Sequence, residues 1–360
     1  MMELSGPSAH PPRPAPAKPR SVEIVFRHGW GVPAWEKRGR RSPVPGAWPY
    51  GLDQLAQDGR VILTREVDDL RRFRRLVAER RGVRRHRPHA GSPAAALCWD
   101  EMTAPGMVAR VPAQRLYSGV IWATDQLTRG SARPGHVALL RSALLEMDAL
   151  WVLSRPQAEF IAEWLGPAAP PVRMVQFGID GEFFSASPYP ERPLVVSAGN
   201  DRDRDIDTLF AALTEICRAR PDVECVVQTR SSIPAPAGVT TVAELTHVDL
   251  RELYARASVV AVATRPNMHV SGMTVLLEAQ ATARPVVVSR TDGITDYVGD
   301  GITGRLVEPQ DPGALADAIL DVLSDPDQAA VVGAAGRQAI ETRHTTSHLC
   351  TQLRAIVDGT

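Results

Sequence analysis

Apolar residues along the chain alternate between two patterns. Short, nearly unbroken runs occupy 22–26, 61–64, 94–99, 116–122, 150–153 and 172–176, and then 194–197, 223–228, 259–263 and 285–289. Their length suits buried strands. Between them, apolar residues return every three or four positions, which predicts helices over 52–57, 68–81, 134–147, 156–165, 206–218, 250–257, 274–283, 314–323, 328–341 and 344–357. In 68–81 the face is Leu70, Phe73, Leu76 and Val77. The Trp-, Gly- and Pro-rich stretch 27–50 reads as a long loop.

Strand and helix alternating in this way predict parallel sheets with helices on both faces. The alternation stops in a polar, proline-laden segment at 185–193 and then restarts. The fold class expected is therefore α/β, with two Rossmann-like doubly wound domains facing a cleft. The expected boundaries are 21–180 and 193–343, with a helix at 344–360 packing back toward the first domain. Residues 1–20, with Pro11, Pro12, Pro14, Pro16 and Pro19, read as a disordered leader without the apolar core of a secretory signal.

Composition narrows the function classes. At 360 residues and 44% apolar content, each half can bury a core of its own. The net charge is zero, which gives no global attraction to nucleic acid. Cys98, Cys217, Cys225 and Cys350 have no metal-binding spacing and read as buried thiols of a reducing, cytoplasmic setting. An arginine run from Arg71 to Arg87 is offset by Asp68, Asp69 and Glu79. It reads first as a solvated helix face, ahead of an anionic membrane surface or a phosphate-bearing acceptor.

The chemistry concentrates after the strand at 259–263. His269-Val270-Ser271-Gly272-Met273-Thr274 precedes an apolar helix, so the amides of Gly272, Met273 and Thr274 are predicted to face a phosphate at a helix N-terminus. Glu278, one turn on, suits a ribose diol. Further motifs surround this start: Leu253-Tyr254-Ala255-Arg256-Ala257, Leu277-Glu278-Ala279 with Arg284-Pro285-Val286-Val287, the stretch from Val298 to Val307, and Phe177-Gly178-Ile179-Asp180. Together they resemble the donor domain of retaining glycosyltransferases of family 4, which have the GT-B architecture. The resemblance covers the chain from about Leu150 onward.

That resemblance implies a donor site built from Asn200, Arg204, Ala243, Glu244, Leu245, Ser271, Gly272, Met273, Thr274 and Glu278. Arg204 stands where the family has a diphosphate-binding Lys, Asn200 where it has an Arg, and Ala243 to Leu245 where the base packs. One position departs: the family's sugar-contacting Glu is Val270 here. The resemblance also implies transfer of a hexose-type sugar from a nucleotide-sugar, with a UDP-sugar the first expectation. The acceptor would be a hydroxyl of a glycan, lipid-linked or secondary-metabolite molecule, and no metal or other cofactor would be needed. Asp201-Arg202-Asp203 and Asp203-Arg204-Asp205 have the form of a metal motif but are read as a loop presenting Arg.

On the acceptor side, His28, Gly29, Trp30, Asp100, Thr124 and Asp125 follow strands and are expected at the cleft, His28 and Asp125 as candidate proton acceptors. Asp125 reads equally as a helix cap. Of the tryptophans, core burial is the first reading. Two rivals compete with the transferase. Gly29-Trp30-Gly31-Val32-Pro33-Ala34 formally fits a dinucleotide fingerprint. Trp30 and Pro33 suit a phosphate turn poorly, no helix is predicted after it, and the next strand ends near Glu66, too far on for a ribose acid. A non-catalytic nucleotide-sugar-binding or partner protein on the same scaffold is the other, with Val270 in its favour.

Overall fold

The computed structural model describes residues 21–69, 83–131 and 133–360. The first domain runs β1 (Ser21–Arg27), α1 (Val32–Gly39), a kinked 3-10 segment (Pro49–Asp58), β2 (Val61–Val67), β3 (Ala95–Cys98), α2 (Ala104–Arg110), β4 (Arg115–Gly119), α3 (Ala123–Thr128), α4 (Pro134–Leu144), β5 (Ala149–Val152), α5 (Arg155–Leu165) and β6 (Val172–Met174). The second runs β7 (Leu194–Ser197), α6 (Ile206–Ala219), β8 (Glu224–Gln228), β9 (Val239–Val242), α7 (His247–Arg256), β10 (Val259–Val262), α8 (Met273–Ala281), β11 (Val286–Ser289), β12 (Arg305–Val307), α9 (Pro312–Ser324) and α10 (Pro326–Arg343). The last helix is α11 (Thr346–Asp358). The helix predicted over 68–81, and most of the arginine run with it, lies outside the described residues.

Each domain is built on one six-stranded sheet, ordered β2-β1-β3-β4-β5-β6 and β12-β11-β10-β7-β8-β9. All named pairings are parallel. Parallel strands with both faces covered must be apolar throughout; β3, β5, β7, β10 and β11 are buried at every residue. Each order reverses once, between β1 and β3 and between β7 and β10. The crevice beyond the carboxyl ends of strands at such a reversal is where this class of sheet binds ligands.

The stretch 27–50 is not a plain loop: α1 occupies Val32–Gly39, with Pro33 in its first turn, where a missing amide costs nothing. The segment 185–193 holds no regular element. It is tied to the second domain by Arg284, whose Nη2 donates to Ser187 O and Pro188 O at 2.7 Å each. Beyond α10 the chain crosses back. Ile179 N donates to His344 O at 2.8 Å and Thr346 N to Ile179 O at 3.0 Å. α11 then lies on the 3-10 segment of the first domain, where Tyr117 Oη donates to Val357 O at 3.1 Å and Arg60 pairs with Asp358 at 3.2 Å.

Candidate functional site

Both sheet reversals open onto the same cleft. A cavity of about 270 Å³ is lined by Arg27 at the end of β1 and Trp30 after it, Trp99 and Asp100 after β3, and Thr274 and Glu278 on α8. A second cavity, of about 240 Å³, is lined by Gly199, Asn200, Asp201 and Arg204 after β7, by His269 to Met273 after β10, and by Thr274 and Val275 in the first turn of α8. The two share Tyr50, Trp99, Phe177 and Thr274 and so form one continuous cleft.

The second cavity is shaped for an anion. α8 starts at Gly272, whose φ of 85° a glycine adopts without strain. A Cβ there would lie 2.4 Å from Val262 and 3.0 Å from Arg204 Nη1. Gly199, with φ of 120°, approaches the same guanidinium from the other side. Arg204 is thus laid between two bare backbones, donating Nη2 to Ala198 O while its Nε has no partner among the described residues. Burial opposes its charge, and Tyr254, Asp201 and Glu278 nearby favour it. At the helix start the Met273 amide is used by Val270 O at 3.0 Å, while those of Thr274 and Val275 meet no acceptor among the described residues. Free amides, the positive end of a helix dipole and a cation on one wall are the features that favour a bound phosphate.

Glu278 opens onto the first cavity, one turn along the same helix. Its Oε2 accepts from Tyr254 Oη at 3.2 Å. Burial pushes its carboxyl up to about 8, against the pull of Tyr254 and Arg204. Asn200 lines the cleft and accepts from Arg230 N at 2.6 Å. Ala243 O accepts from Gln228 Nε2 at 2.9 Å, and Gln228 Oε1 accepts from Gly199 N at 2.9 Å, which couples this loop to the start of the site. Glu244 pairs with Arg230 at the surface, and Leu245 packs on the core.

Several expected roles need correction. Ser271 does not offer its amide to a ligand: N donates to Asn267 Oδ1 at 2.9 Å and Oγ to Asp201 Oδ1 at 2.8 Å. Asp125 is not a free proton acceptor. It sits in α3, 2% exposed. Oδ1 accepts from Met268 N at 2.9 Å, and Oδ2 accepts from His269 N at 3.0 Å and meets His269 Nδ1 at 2.7 Å. Thr124 is buried beside it and accepts from Gln157 Nε2 at 3.2 Å. His28 is exposed off the cavity, 3.3 Å from Glu66 and 3.7 Å from Asp68. Gly29 N and Gly31 N each donate to the Glu66 carboxylate at 3.2 Å. A helix does follow this turn, but a protein carboxylate already fills the place a dinucleotide phosphate would need. Trp30 and Asp100 do line the first cavity.

Sequence patterns did not reveal His269, the hinge of a cross-domain cluster. Its Nε2 lies 3.3 Å from both Asp201 oxygens. Burial works against its charge, but Asp125 and Asp201 outweigh burial and raise its pKa to about 9. Burial likewise opposes ionisation of Asp125 and Asp201, yet their bonds to His269 hold both carboxyls below the usual range. Arg129, one turn after Asp125, donates to Asp203 and to Pro266 O, the latter at 2.8 Å. These bonds fix the 266–272 loop against the first domain. They also hold Val270, buried, at φ 56°, a conformation that costs a β-branched residue of the order of 1–2 kcal/mol.

Asp201, Asp203 and His269 have the spacing of a metal site. Nδ1 faces Asp125 and Nε2 faces Asp201, and the raised pKa of His269 favours the imidazolium, which has no lone pair for a metal. Asp203 is engaged by Arg129 and Arg202.

Residues 192–325 match the model of the family "Glycosyl transferases group 1". The chain is 28% identical to the alpha-maltose-1-phosphate synthase of Mycolicibacterium smegmatis over 268 residues, 64% of this chain and 67% of that protein. It is 30% identical over 219 residues to a GDP-mannose-dependent alpha-(1-6)-phosphatidylinositol monomannoside mannosyltransferase of the same organism, covering 53% of this chain and 57% of that one. A D-inositol 3-phosphate glycosyltransferase of Corynebacterium urealyticum is 46% identical over 80 residues, 22% of this chain and 18% of its own length. The alignments therefore span from about a fifth to two thirds of these relatives. In fold, the chain resembles sucrose-phosphate synthase from Thermosynechococcus elongatus, with a TM-score of 0.67 at 18% identity over 93% of this chain and 98% of that one. It also resembles an Anabaena protein solved with UDP-glucose, with a TM-score of 0.64 at 13% identity over 94% and 100%. Residues 192–325 thus match the group 1 glycosyltransferase model, and the chain as a whole has the two-domain α/β fold of GT-B architecture.

Proposed function

We propose that this chain transfers a hexose-type sugar from a nucleoside diphosphate donor to an acceptor hydroxyl, with retention at the anomeric carbon and without a divalent metal. The observation that carries this reading is the meeting of Arg204, the α8 N-terminus and Glu278 on one wall of the cleft. The diphosphate lies on the Thr274 and Val275 amides beside Arg204. As the bond from sugar to phosphate breaks, negative charge builds on the leaving diphosphate, and these preorganised donors stabilise it where other enzymes use a metal ion. Glu278, once ionised, accepts from the ribose hydroxyls, and the base reaches toward Ala243 to Leu245.

The base is open between the relatives: one is named for GDP-mannose, and one fold neighbour holds UDP-glucose. UDP is the first choice. A hydroxylated acceptor occupies the first-domain side, where Asp100 lines the cavity. A non-catalytic nucleotide-sugar binder is the second reading, favoured by Val270, whose buried side chain removes the carboxylate that the resembled family uses on the sugar. Sugar-nucleotide hydrolysis or transfer, followed by mass spectrometry with UDP-glucose and GDP-mannose, separates the two. Release of UDP or GDP above the uncatalysed rate supports the transferase; binding without any release supports the second reading.

A further inference from the structure

We propose that the first cavity takes an acceptor carrying an anionic phosphate on a hydroxylated ring, with Arg27 and Arg38 as the phosphate contacts. The word acceptor rests on the function proposed above; the anion site itself rests on the first domain alone.

Arg27 ends β1 and Arg38 lies in the last turn of α1, and both line this cavity. Among the described residues neither forms an ion pair, whereas Arg60, Arg65, Arg110 and Arg129 all do. Aromatic rings hold them instead. The Arg27 guanidinium lies 3.7 Å from the centre of a Trp30 ring, and Arg38 lies 5.8 Å from Trp30 and 5.6 Å from Trp35. A guanidinium stacked in this way keeps its planar fork of donors free and loses little freedom when a phosphate arrives.

Three acids line the same cavity, and among the described residues none forms an ion pair with either arginine. Asp180 accepts from the amides of Gly46, Glu182 and Phe183 at 2.8–3.0 Å. Asp100 accepts from Thr103 N at 3.2 Å and Oγ1 at 3.1 Å, and burial raises its pKa despite Arg27. Glu278 is likewise raised to about 8. At its first-domain end the cavity thus holds two guanidiniums whose donors are not taken up by these acids. Trp30 is 51% exposed, and Tyr50 stacks on Trp99 at 4.2 Å, so flat apolar walls stand beside the cations, as a hydroxylated ring requires of its C–H face. The donor phosphates have their own cation in Arg204, which lines the second cavity and not the first.

The test is calorimetric titration of the full chain with UDP and, separately, with glucose 1-phosphate, glucose 6-phosphate and inositol 1-phosphate beside glucose and inositol. Wild type is compared with the Arg27→Gln/Arg38→Gln double variant and with Arg38→Glu alone, a change at an exposed residue that spares the fold. At least one ring phosphate should bind wild type and bind both variants about tenfold or more weakly, with UDP affinity unchanged and the neutral parents unaffected. Phosphatidylcholine vesicles with and without phosphatidylinositol then tell a lipid headgroup from a soluble phosphate. The proposal is overturned if the neutral sugars bind as tightly as their phosphates, if no ring phosphate in either form binds, or if the variants lose UDP, which would assign the arginines to the donor. Absence of UDP binding in wild type, with arginine-dependent phosphate binding intact, would remove the donor reading and leave the anion site standing.

Discussion

At the scale of single residues, two buried ionisable groups govern how the site responds to pH. Glu278 keeps its proton in the fold up to about pH 8, while an unfolded Glu loses it near 4.5. The cost of burying this carboxyl therefore accumulates as pH rises from about 4.5 to 8 and is complete above. Glu278→Gln should gain melting temperature relative to wild type between about pH 5 and 8.5, while nucleoside diphosphate affinity falls. A variant that is no more stable at the higher pH would show the carboxyl to be ionised at no cost. His269 has the opposite sense: its folded pKa of about 9 lies above the unfolded 6.5. The stability it adds is fully present below pH 6.5 and is lost as pH rises through 9, of the order of 3 kcal/mol in all. Thermal melts of His269→Gln against wild type should differ most near pH 6 and converge near pH 10; a gap constant across that range would exclude a charged histidine.

Between elements, the contact that most shapes the site joins α3 to the loop before α8. Asp125 binds two amides and a ring across the domain boundary, 143 and 144 residues away in sequence. Asp125→Asn keeps the shape but leaves a buried imidazolium with one carboxylate fewer, so a loss of about 2–3 kcal/mol is expected. Thermal unfolding measures it, and an unchanged melting temperature would mean that the clamp carries nothing. No local pattern could have revealed this pairing. Asp125 read as a proton acceptor or a cap because a carboxylate after a strand is all that the sequence displays there. The strands were legible wherever burial is complete, as in β7, β10 and β11. β9 escaped notice because it is an edge strand with exposed Thr240 and Thr241, and α1 because it lies within the Trp-, Gly- and Pro-rich stretch that read as a loop. The chemistry around α8 could be read because Gly272, the apolar helix and Glu278 are close in sequence; the place of Arg204 could be read only through resemblance.

Over the whole molecule, two sheets with their reversal points facing each other create the cleft, and α11 ties the end of the second domain to the first. α11 buries Leu349, Leu353, Ile356 and Val357, each at most 5% exposed. At about 1.5–3 kcal/mol per side chain this is roughly 6–12 kcal/mol, comparable with the stability of a whole domain. Removal of residues 346–360 should leave an insoluble or cooperatively destabilised chain. Solubility and circular dichroism check this, and a truncated chain with unchanged melting would show that the contact is dispensable. The central claim is that the α8 N-terminus and Arg204 hold a nucleoside diphosphate. Its most direct test is calorimetric titration of UDP, GDP, dTDP and ADP into wild type and Arg204→Ala, with and without EDTA. The account predicts that one diphosphate binds wild type, is indifferent to EDTA, and binds the variant about tenfold or more weakly; equal affinity for both proteins, or no binding of any diphosphate to wild type, would contradict it.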